Sequence, residues 1–260
     1  MASPGSGRRV TVVKSHPDLS DPSTRLLMPT TEQGPFPPFD RFADTVANAR
    51  VQRGLHEHLA EEVVAYVLDG QVHHEDGAGE HTVLRPGSVL LVTAHEQIRH
   101  ELTMQPSQEG RAARWLSIVL RLPWHTQAPV TSVQIKDAGD AIPLTTTVVE
   151  RPIVGSRARA DSALGLECTD FEFTGEAETA IPLGRGHRGV AYVLQGHGRI
   201  EKEPVEAGMG AVFENLGRLA VHGAPGFRLF LASVPRTDSE ESYPEGERFQ
   251  GARYPGGKSR

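Results

Sequence analysis

Histidines are concentrated in one part of the sequence. Seven of the 12 lie between residues 56 and 100: His56, His58, His73, His74, His81, His95 and His100. Imidazole is the commonest metal ligand in proteins, so this cluster indicates a metal site. Residues two apart on a strand point to the same side, so His56 and His58 can present two nitrogens to one ion. If the strands wind into a small barrel, His100 lies beside this pair and supplies a third nitrogen.

Other polar side chains near these three histidines are candidates for supporting roles. Glu62 follows His58 by four residues, and we expect it to orient a ligand histidine by accepting a hydrogen bond. His95 is expected either in the pocket wall or in an exposed loop. Glu101 adjoins His100 but, on a regular strand, faces the other way. Glu62, His95 and Glu101 are therefore the candidates for acid–base chemistry.

The segments around the histidines have the pattern of short β-strands. Turn signals such as Asp69-Gly70 separate them at intervals of roughly 8–12 residues, which is typical of sandwiches and barrels. The helix candidate is Phe42–Val51. His73, His74 and His81 fall in a polar hairpin, where we expect solvated positions. The predicted strands are Val10–Val13, Val63–Leu68, Gln71–Glu75, His81–Leu84, Ser88–Thr93 and Trp115–Leu122.

A motif of the first half of the chain returns in the second half. Val64–Gly70 (VAYVLDG) matches Val190–Gly196 (VAYVLQG) at an offset of 126, and Leu84–Gly87 matches Val205–Gly208 at an offset of 121. This pattern predicts an internal duplication, with β-barrel domains at residues 1–130 and 131–260. Residues 236–260 contain few apolar side chains and are predicted to form a mobile tail.

The duplication does not extend to the metal ligands. At the offset of 126, Pro182 and Gly184 stand where the first half has His56 and His58. Neither residue offers a side-chain donor atom. We therefore expect the second barrel to hold no metal and to serve packing, shaping the surroundings of the first.

Composition and charge exclude several classes of protein. The 27 Lys+Arg and 33 Asp+Glu give a net charge of −6, which argues against binding nucleic acid through phosphate neutralisation. The single cysteine, Cys168, excludes an internal disulfide and is expected to be buried. Residues 1–14 lack the apolar run of a secretory signal, and no apolar stretch approaches the ~18 residues of a membrane span. We expect a soluble, cytoplasmic protein without membrane contact.

The motifs around the metal candidates resemble the first cupin domain of the pirin family. They are His-x-His-x-x-x-Glu at 56–62, Tyr-Val-Leu-Asp-Gly at 66–70, His-Glu-Asp-Gly at 74–77, Arg-Pro-Gly at 85–87, and Val-Thr-Ala followed by a histidine at 92–95. The similarity covers most of residues 33–122 and continues more faintly at 189–196 and 227–234. It implies an all-β fold of two tandem cupin, or jelly-roll-type, β-barrels.

The resemblance also implies one divalent metal ion in the N-terminal barrel, held in pirins by three histidines and one glutamate. By motif position, the three histidines are His56, His58 and His100. The position of the glutamate, two residues after the third histidine, is occupied by Leu102. Either a β-bulge turns Glu101 inward, or the site has three histidines and water, or it borrows Glu62 or His95. Fe(II) is the expected ion, and Mn, Ni, Cu or Zn are alternatives that also suit imidazole.

Three protein ligands leave positions open on the metal for substrate chemistry. The resemblance implies an oxidoreductase, a dioxygenase of the quercetinase type that acts on a small oxygenated organic substrate. One alternative is a cupin isomerase or lyase that uses the metal as a Lewis acid. Another is a non-catalytic metal-binding regulator that binds a transcription factor or a metabolic enzyme. The negative net charge favours a protein partner over direct contact with nucleic acid.

Overall fold

The structure, a computed structural model, describes residues 9–29, 36–107, 109–123 and 131–236. Within these ranges the regular elements are all β-strands. In that part of the chain there is no helix with the length and apolar character needed to cross a membrane. Of the mobile tail predicted at residues 236–260, residues 237–260 lie outside the described part of the chain.

The strands are numbered in chain order. Those of the first half are β1 (Arg9–Lys14), β2 (His16–Asp18), β3 (Asp21–Met28), β4 (Phe39–Ala47), β5 (Val51–His58), β6 (Glu61–Asp69), β7 (Gln71–Asp76), β8 (His81–Leu84), β9 (Ser88–Ala94), β10 (Ile98–Gln105) and β11 (Ala113–Arg121). Those of the second half are β12 (Ser132–Asp137), β13 (Ile142–Pro143), β14 (Val148–Val154), β15 (Glu167–Phe173), β16 (Ala177–Pro182), β17 (His187–Gln195), β18 (His197–Ile200), β19 (Glu203–Glu206), β20 (Met209–Glu214), β21 (Arg218–Gly223) and β22 (Arg228–Pro235).

The strands form two barrels with the same topology, each from a seven-stranded and a four-stranded sheet. The first barrel has the orders β12-β9-β6-β11-β4-β3-β2 and β5-β10-β7-β8. The second has β1-β20-β17-β22-β15-β14-β13 and β16-β21-β18-β19, which repeats the first strand for strand. The prediction of an all-β fold with two tandem cupin barrels is confirmed.

The two large sheets exchange one edge strand. Strand β1 pairs with β20 of the second barrel, and β12 pairs with β9 of the first. Sheet pairing thus crosses the predicted boundary at residue 130 in both directions. The boundary itself stays a prediction, and residues 124–130 lie outside the described part of the chain.

The repeated motif ends in the same tight turn in both barrels. Gly70 follows β6 with a φ of 71°, and Gly196 follows β17 with a φ of 79°. A Cβ on Gly70 would lie 2.7 Å from the Cα of Ala113, and one on Gly196 would lie 3.0 Å from the Cα of Phe227. Only glycine combines this backbone conformation with so close an approach to the neighbouring chain.

Strand alternation divides the side chains of the large sheets between separate cores. In β6, Val64 and Tyr66 belong to the core between the barrels. Val63, Ala65 and Val67 belong to the interior of the first barrel. Since both faces of β6 are covered, the strand is apolar nearly throughout, and its sequence alone does not reveal which face lies inside the barrel.

The interior of the second barrel is filled with aromatic side chains. Phe171, Phe173, Phe213 and Phe227 are all buried there. The interior of the first barrel has mostly aliphatic residues on its large sheet, such as Ala65, with Trp115 as its one buried aromatic ring among the described residues. The two interiors therefore differ in the volume that side chains occupy, although their strand order is the same.

A buried tyrosine of the first barrel makes a hydrogen bond to the second. The hydroxyl of Tyr66 donates to Asp170 Oδ2 at 3.1 Å, and Arg228 Nε donates to Asp170 Oδ1 at 2.9 Å. Burial and the Asp170 carboxylate raise the pKa of Tyr66 to about 12. The tyrosine is therefore a proton donor to the carboxylate at all physiological pH values.

A buried tyrosine of the second barrel makes the equivalent hydrogen bond to the first barrel. The hydroxyl of Tyr192 donates to Asp44 Oδ2 at 2.9 Å, and Arg114 Nη2 donates to the same oxygen at 2.7 Å. Tyr192 follows Tyr66, and Asp170 follows Asp44, at the offset of the sequence repeat. The duplication therefore includes the contacts that join the barrels, which we call the reciprocal Tyr–Asp–Arg contacts.

The helix predicted at Phe42–Val51 is wrong. Phe42 to Ala47 belong to β4, and Val51 begins β5. Strand β4 lies between β11 and β3 in the large sheet, so its backbone groups are paired on both sides. This pairing and the burial of Phe42 override a local pattern that only weakly favoured a helix.

We expect Tyr66→Phe and Tyr192→Phe each to lower the free energy of unfolding by about 1–3 kcal/mol. Each change removes one hydrogen bond to a buried carboxylate while keeping the ring. Asp170→Asn should cost more, because it leaves the charge of Arg228 without its counter-ion. Urea unfolding of the three variants measures these differences. Midpoints equal to that of the unmodified protein would mean that these contacts do not hold the barrels together.

Candidate metal centre

Three strands of the small sheet of the first barrel carry the candidate site. Strand β10 lies between β5 and β7. His100 on β10 is the pairing partner of His56 on β5, and His58 lies two residues further along β5. Residues paired across a sheet, and residues two apart on a strand, share a face. The structure therefore brings together the three histidines that the sequence singled out.

The Nε2 atoms of these histidines converge. His100 Nε2 lies 2.9 Å from His56 Nε2 and 3.2 Å from His58 Nε2. The three ligand atoms lie within 4.8 Å of one another. His100 is 1% exposed. A single ion placed between three converging nitrogens can bond to all of them, which is the arrangement that a histidine metal centre requires.

Burial keeps two of these histidines, His56 and His100, neutral. Burial lowers the pKa of His56 to about 4. Burial lowers the pKa of His100 to about 2, and the neighbouring His56 and His58 contribute in the same direction. Only neutral imidazole has a lone pair for a metal, so these two ligands are ready to bind at neutral pH.

The other ring nitrogen of each β5 histidine has an oxygen partner. His56 Nδ1 lies 2.9 Å from the carbonyl oxygen of Gly54, and His58 Nδ1 lies 2.9 Å from Glu61 Oε2. A proton on Nδ1 can be donated to these oxygens, which leaves the Nε2 lone pair free to point into the cluster. The donor set and its supporting contacts therefore fit a divalent transition metal.

The β-bulge of this sheet lies in β5 rather than in β10. Between the pairs His56–His100 and Arg53–Leu102, strand β5 contains one residue more than β10. Strand β10 keeps a regular register with β7. Leu102 consequently stays on the inner face, where it is 5% exposed, and Glu101 is on the opposite face, where it accepts a hydrogen bond from the Gln52 amide.

The carboxylate of Glu62 lies at the contact between the barrels. It accepts hydrogen bonds from the backbone N–H of Ala163 at 2.8 Å, from Thr93 Oγ1 at 3.2 Å and from the Ser162 hydroxyl. Burial raises the pKa of Glu62, although these donors oppose the shift. His95 follows β9, is partly exposed, and has a buried Nδ1 without a partner among the described residues.

Two residues of the site were missed by the sequence analysis. Glu61, not Glu62, contacts His58, because alternation along β6 places Glu61 on the inner face with Val63. His74 was expected on the solvated surface, and this is wrong, since it is 3% exposed. Burial lowers its pKa, although Asp76 opposes the shift. Both residues lie on the inner face of their strands. The sequence shows which residues share a face, but it shows which face is the inner one only after the barrel is known.

The histidines of the second barrel do not gather in the same way. His187 Nδ1 lies 3.2 Å from Ser233 Oγ, and His222 Nε2 lies 3.2 Å from Glu176 Oε1. The two histidines lie on different sheets, β17 and β21. The absence of a metal site from this barrel stays a prediction.

Two jelly-roll barrels in one chain, with converging histidines in the first, define a bicupin with a candidate metal centre. Residues 25–116 match the family model described as Pirin. A Pseudomonas aeruginosa protein named "Putative quercetin 2,3-dioxygenase" is 29% identical over 251 residues, covering 90% of this chain and 83% of its own. A "Pirin-like protein" of Caulobacter vibrioides is 25% identical over 225 residues, covering 80% of this chain and 78% of its own. The chain is therefore similar to the pirin family at residues 25–116, and the two relatives extend the similarity over most of its length.

Solved structures share the fold. The crystal structure of quercetin 2,3-dioxygenase from Acinetobacter baumannii has a TM-score of 0.77 at 16% identity, covering 88% of this chain and 80% of its own. The nickel(II) complex of the bacterial pirin YhhW from Escherichia coli has a TM-score of 0.68 at 15% identity, covering 88% of this chain and 100% of its own. At these identities the likeness extends to the two-barrel architecture.

We expect Glu61→Gln to weaken metal binding by about 10–100-fold, the range found when a supporting partner of a metal ligand is removed. Glu57→Gln is the matched control, because Glu57 lies on β5 but is exposed and pairs with Arg99 at 3.3 Å. Competition titrations with a chelator of known Ni(II) affinity measure both. Equal effects of the two changes would show that the Glu61–His58 contact does not support the ligand.

The metal-free protein should lose stability as the pH falls below about 6.5. The folded state holds His56 and His100 neutral, whereas the unfolded chain protonates them near their ordinary pKa of 6.5. The unfolded state then binds more protons, and each group lowers the free energy of unfolding by roughly 1 kcal/mol per pH unit, down to about pH 4 for His56. Urea unfolding in EDTA at pH 7, 6 and 5 measures the slope. His100→Gln should flatten it, and an unchanged slope would contradict the assignment.

Proposed function

We propose that this protein is a metal-dependent dioxygenase in which His56, His58 and His100 hold one divalent ion, Fe(II) in the cell. The observation that carries the proposal is the convergence of the Nε2 atoms of these three histidines at the inner face of the first barrel. The relatives support it, since two carry quercetin dioxygenase in their names and one structure is a nickel(II) complex. The proposed substrate is a small oxygenated organic molecule of the quercetin type.

The donor set favours an open site. Three imidazoles do not complete the coordination of iron, and the adjacent position 102 holds an apolar leucine. When bound, such an ion supplies Lewis acidity and, in the case of iron, redox chemistry towards dioxygen. Imidazole ligands also suit Mn, Ni, Cu and Zn, so the proposal of Fe(II) rests on the need for redox chemistry.

The residues of the chain have separate roles in this proposal. Glu61 holds the Nδ1 proton of His58 and so keeps its ring orientation. The apolar side chains around the site exclude water, which strengthens electrostatic interactions inside the pocket. Of the three acid–base candidates, Glu62 bonds to the second barrel and Glu101 lies on the outer face. His95, with its unpartnered Nδ1, is the one that we retain for proton transfer.

One observation favours a regulatory function as the second candidate. Leu55 is 57% exposed and Leu59 is 53% exposed, and they flank the ligands His56 and His58. Among the described residues, β5, which carries Leu55, is also an edge strand of its sheet. Exposed apolar side chains on a free edge are typical of surfaces that bind a protein partner. In that case the metal would control the binding of the protein partner and would not act on a substrate.

The test combines metal binding with turnover. Ni(II) at a hundred times its dissociation constant should stabilise the fold by about 2.7 kcal/mol, seen as a rise in the melting temperature. His56→Ala and His100→Ala should abolish that rise and the quercetin-dependent oxygen uptake of Fe(II)-loaded protein. His187→Ala and His222→Ala are the controls and should keep both.

Equal loss in all four variants would contradict a single site in the first barrel. A metal-induced rise in melting temperature without oxygen uptake on quercetin or related hydroxylated aromatic compounds would favour the regulatory candidate.

A further inference from the structure

A fourth histidine faces the candidate metal centre from the neighbouring strand. On β7, His74 is the pairing partner of Leu102 on β10. Leu102 lies two residues from His100 and is on the same face, with its side chain in the interior core. His74 therefore shares the inner face of the sheet with the three converging histidines.

The burial of His74 needs an explanation. The residue is 3% exposed, and its Nε2 is buried without a hydrogen-bond partner among the described residues. A buried polar atom without a partner is costly, so such atoms commonly mark a ligand that binds there. His73 also has a buried Nε2 without a partner among the described residues, but it lies on the outer side of the hairpin, where its Nδ1 is 3.3 Å from His81 Nε2.

The His74 ring continues the packing of the cluster. Its centroid lies 5.2 Å from that of His100 at an interplanar angle of 78°. The rings of His58 and His100 are 5.1 Å apart at 84°, and those of His56 and His58 are 5.1 Å apart at 83°. His56 and His100 are closer, at 4.4 Å and 60°. The His74 ring thus packs on His100 as the His58 ring does, but its nitrogens lie outside the group of ligand atoms within 4.8 Å of one another, so its side chain must rotate to reach a shared ion.

The carboxylate candidates for a fourth donor have different partners. Glu101 accepts a hydrogen bond from Gln52 on the outer face, and Glu62 bonds to the second barrel. Leu102 has no donor atom. Asp76 is opposite His100, but its Oδ1 accepts hydrogen bonds from the N–H groups of Ala78 at 2.9 Å and Glu80 at 2.8 Å, which close the hairpin turn.

We propose that His74 is the fourth protein ligand of the metal, taking the place that Leu102 cannot fill. The inference rests on the proposed three-histidine site and deepens it. A donor set of four neutral imidazoles adds no negative charge to a divalent ion. Such a centre attracts anionic oxygen ligands more strongly than a centre with a carboxylate ligand, so it suits substrates that bind through a deprotonated hydroxyl group.

The experiment compares His74→Gln with His81→Gln, a control on the same hairpin, using Ni(II) as the probe. His74→Gln should weaken Ni(II) binding by about 100-fold or more, since losing even a supporting partner costs 10–100-fold. His81→Gln should change it less than about threefold. Leu102→Glu should restore most of the affinity in the His74→Gln background, because the new carboxylate lies opposite residue 74 on the adjacent strand.

A second measurement uses the unmodified protein, so that it does not depend on the folding of a variant. The Cu(II)-loaded protein should show electron paramagnetic resonance splitting from four nitrogen ligands, and His74→Gln should show three. Three nitrogens in the unmodified protein, or equal Ni(II) affinities of the His74→Gln and His81→Gln variants, would overturn the assignment. So would a larger loss with Asp76→Asn than with His74→Gln. His56→Ala separates the two proposals: if it retains full Ni(II) affinity, the three-histidine site itself fails.

Discussion

The large sheets of this protein are buried on both faces, and this constraint organises the rest of the molecule. One face of each sheet packs against the other barrel, and the other lines the interior of its own barrel. Because side chains alternate along a strand, a shift of one residue would move every side chain to the wrong core. The neighbours Glu61 and Glu62 show the effect. One contacts His58 in the first barrel, and the other bonds to Ala163 in the second.

The same constraint explains how a duplicated fold holds two different interiors. The reciprocal Tyr–Asp–Arg contacts lie between the barrels and are preserved in both halves, so the joining surface has kept its chemistry. The inward faces are independent of that surface. In one barrel they carry histidines among mostly aliphatic residues, and in the other they carry several phenylalanines. Two barrels with one topology can therefore differ in function without loss of the contacts between them.

Much of the fold could be predicted from the sequence, because turns and alternation are local signals. The predicted strand at His81–Leu84 matches β8, and the motif at 64–70 lies on β6 and its closing turn. The three convergent histidines were also predictable, since their spacing needs only strand geometry. The helix predicted from Phe42 onward is a strand instead, because β4 pairs with β11 and β3, and this pairing is not visible in the local sequence. The burial of His74 likewise depends on the non-local pairing of β7 with β10.

The exchange of edge strands has a consequence for how the chain reaches its native state. The partners Arg9 and Glu214 are about 200 residues apart in the sequence, so this ladder is among the least local in the protein. During synthesis, β1 emerges early and has no strand of its own sheet to pair with until β20 follows. Until then, its unpaired backbone groups can pair with other chains. The strand has a charged residue at each end, Arg9 and Lys14, and charged residues of this kind protect an unpaired strand from aggregation. Each large sheet therefore includes a strand from the other half of the chain, and neither sheet is complete before both halves are present.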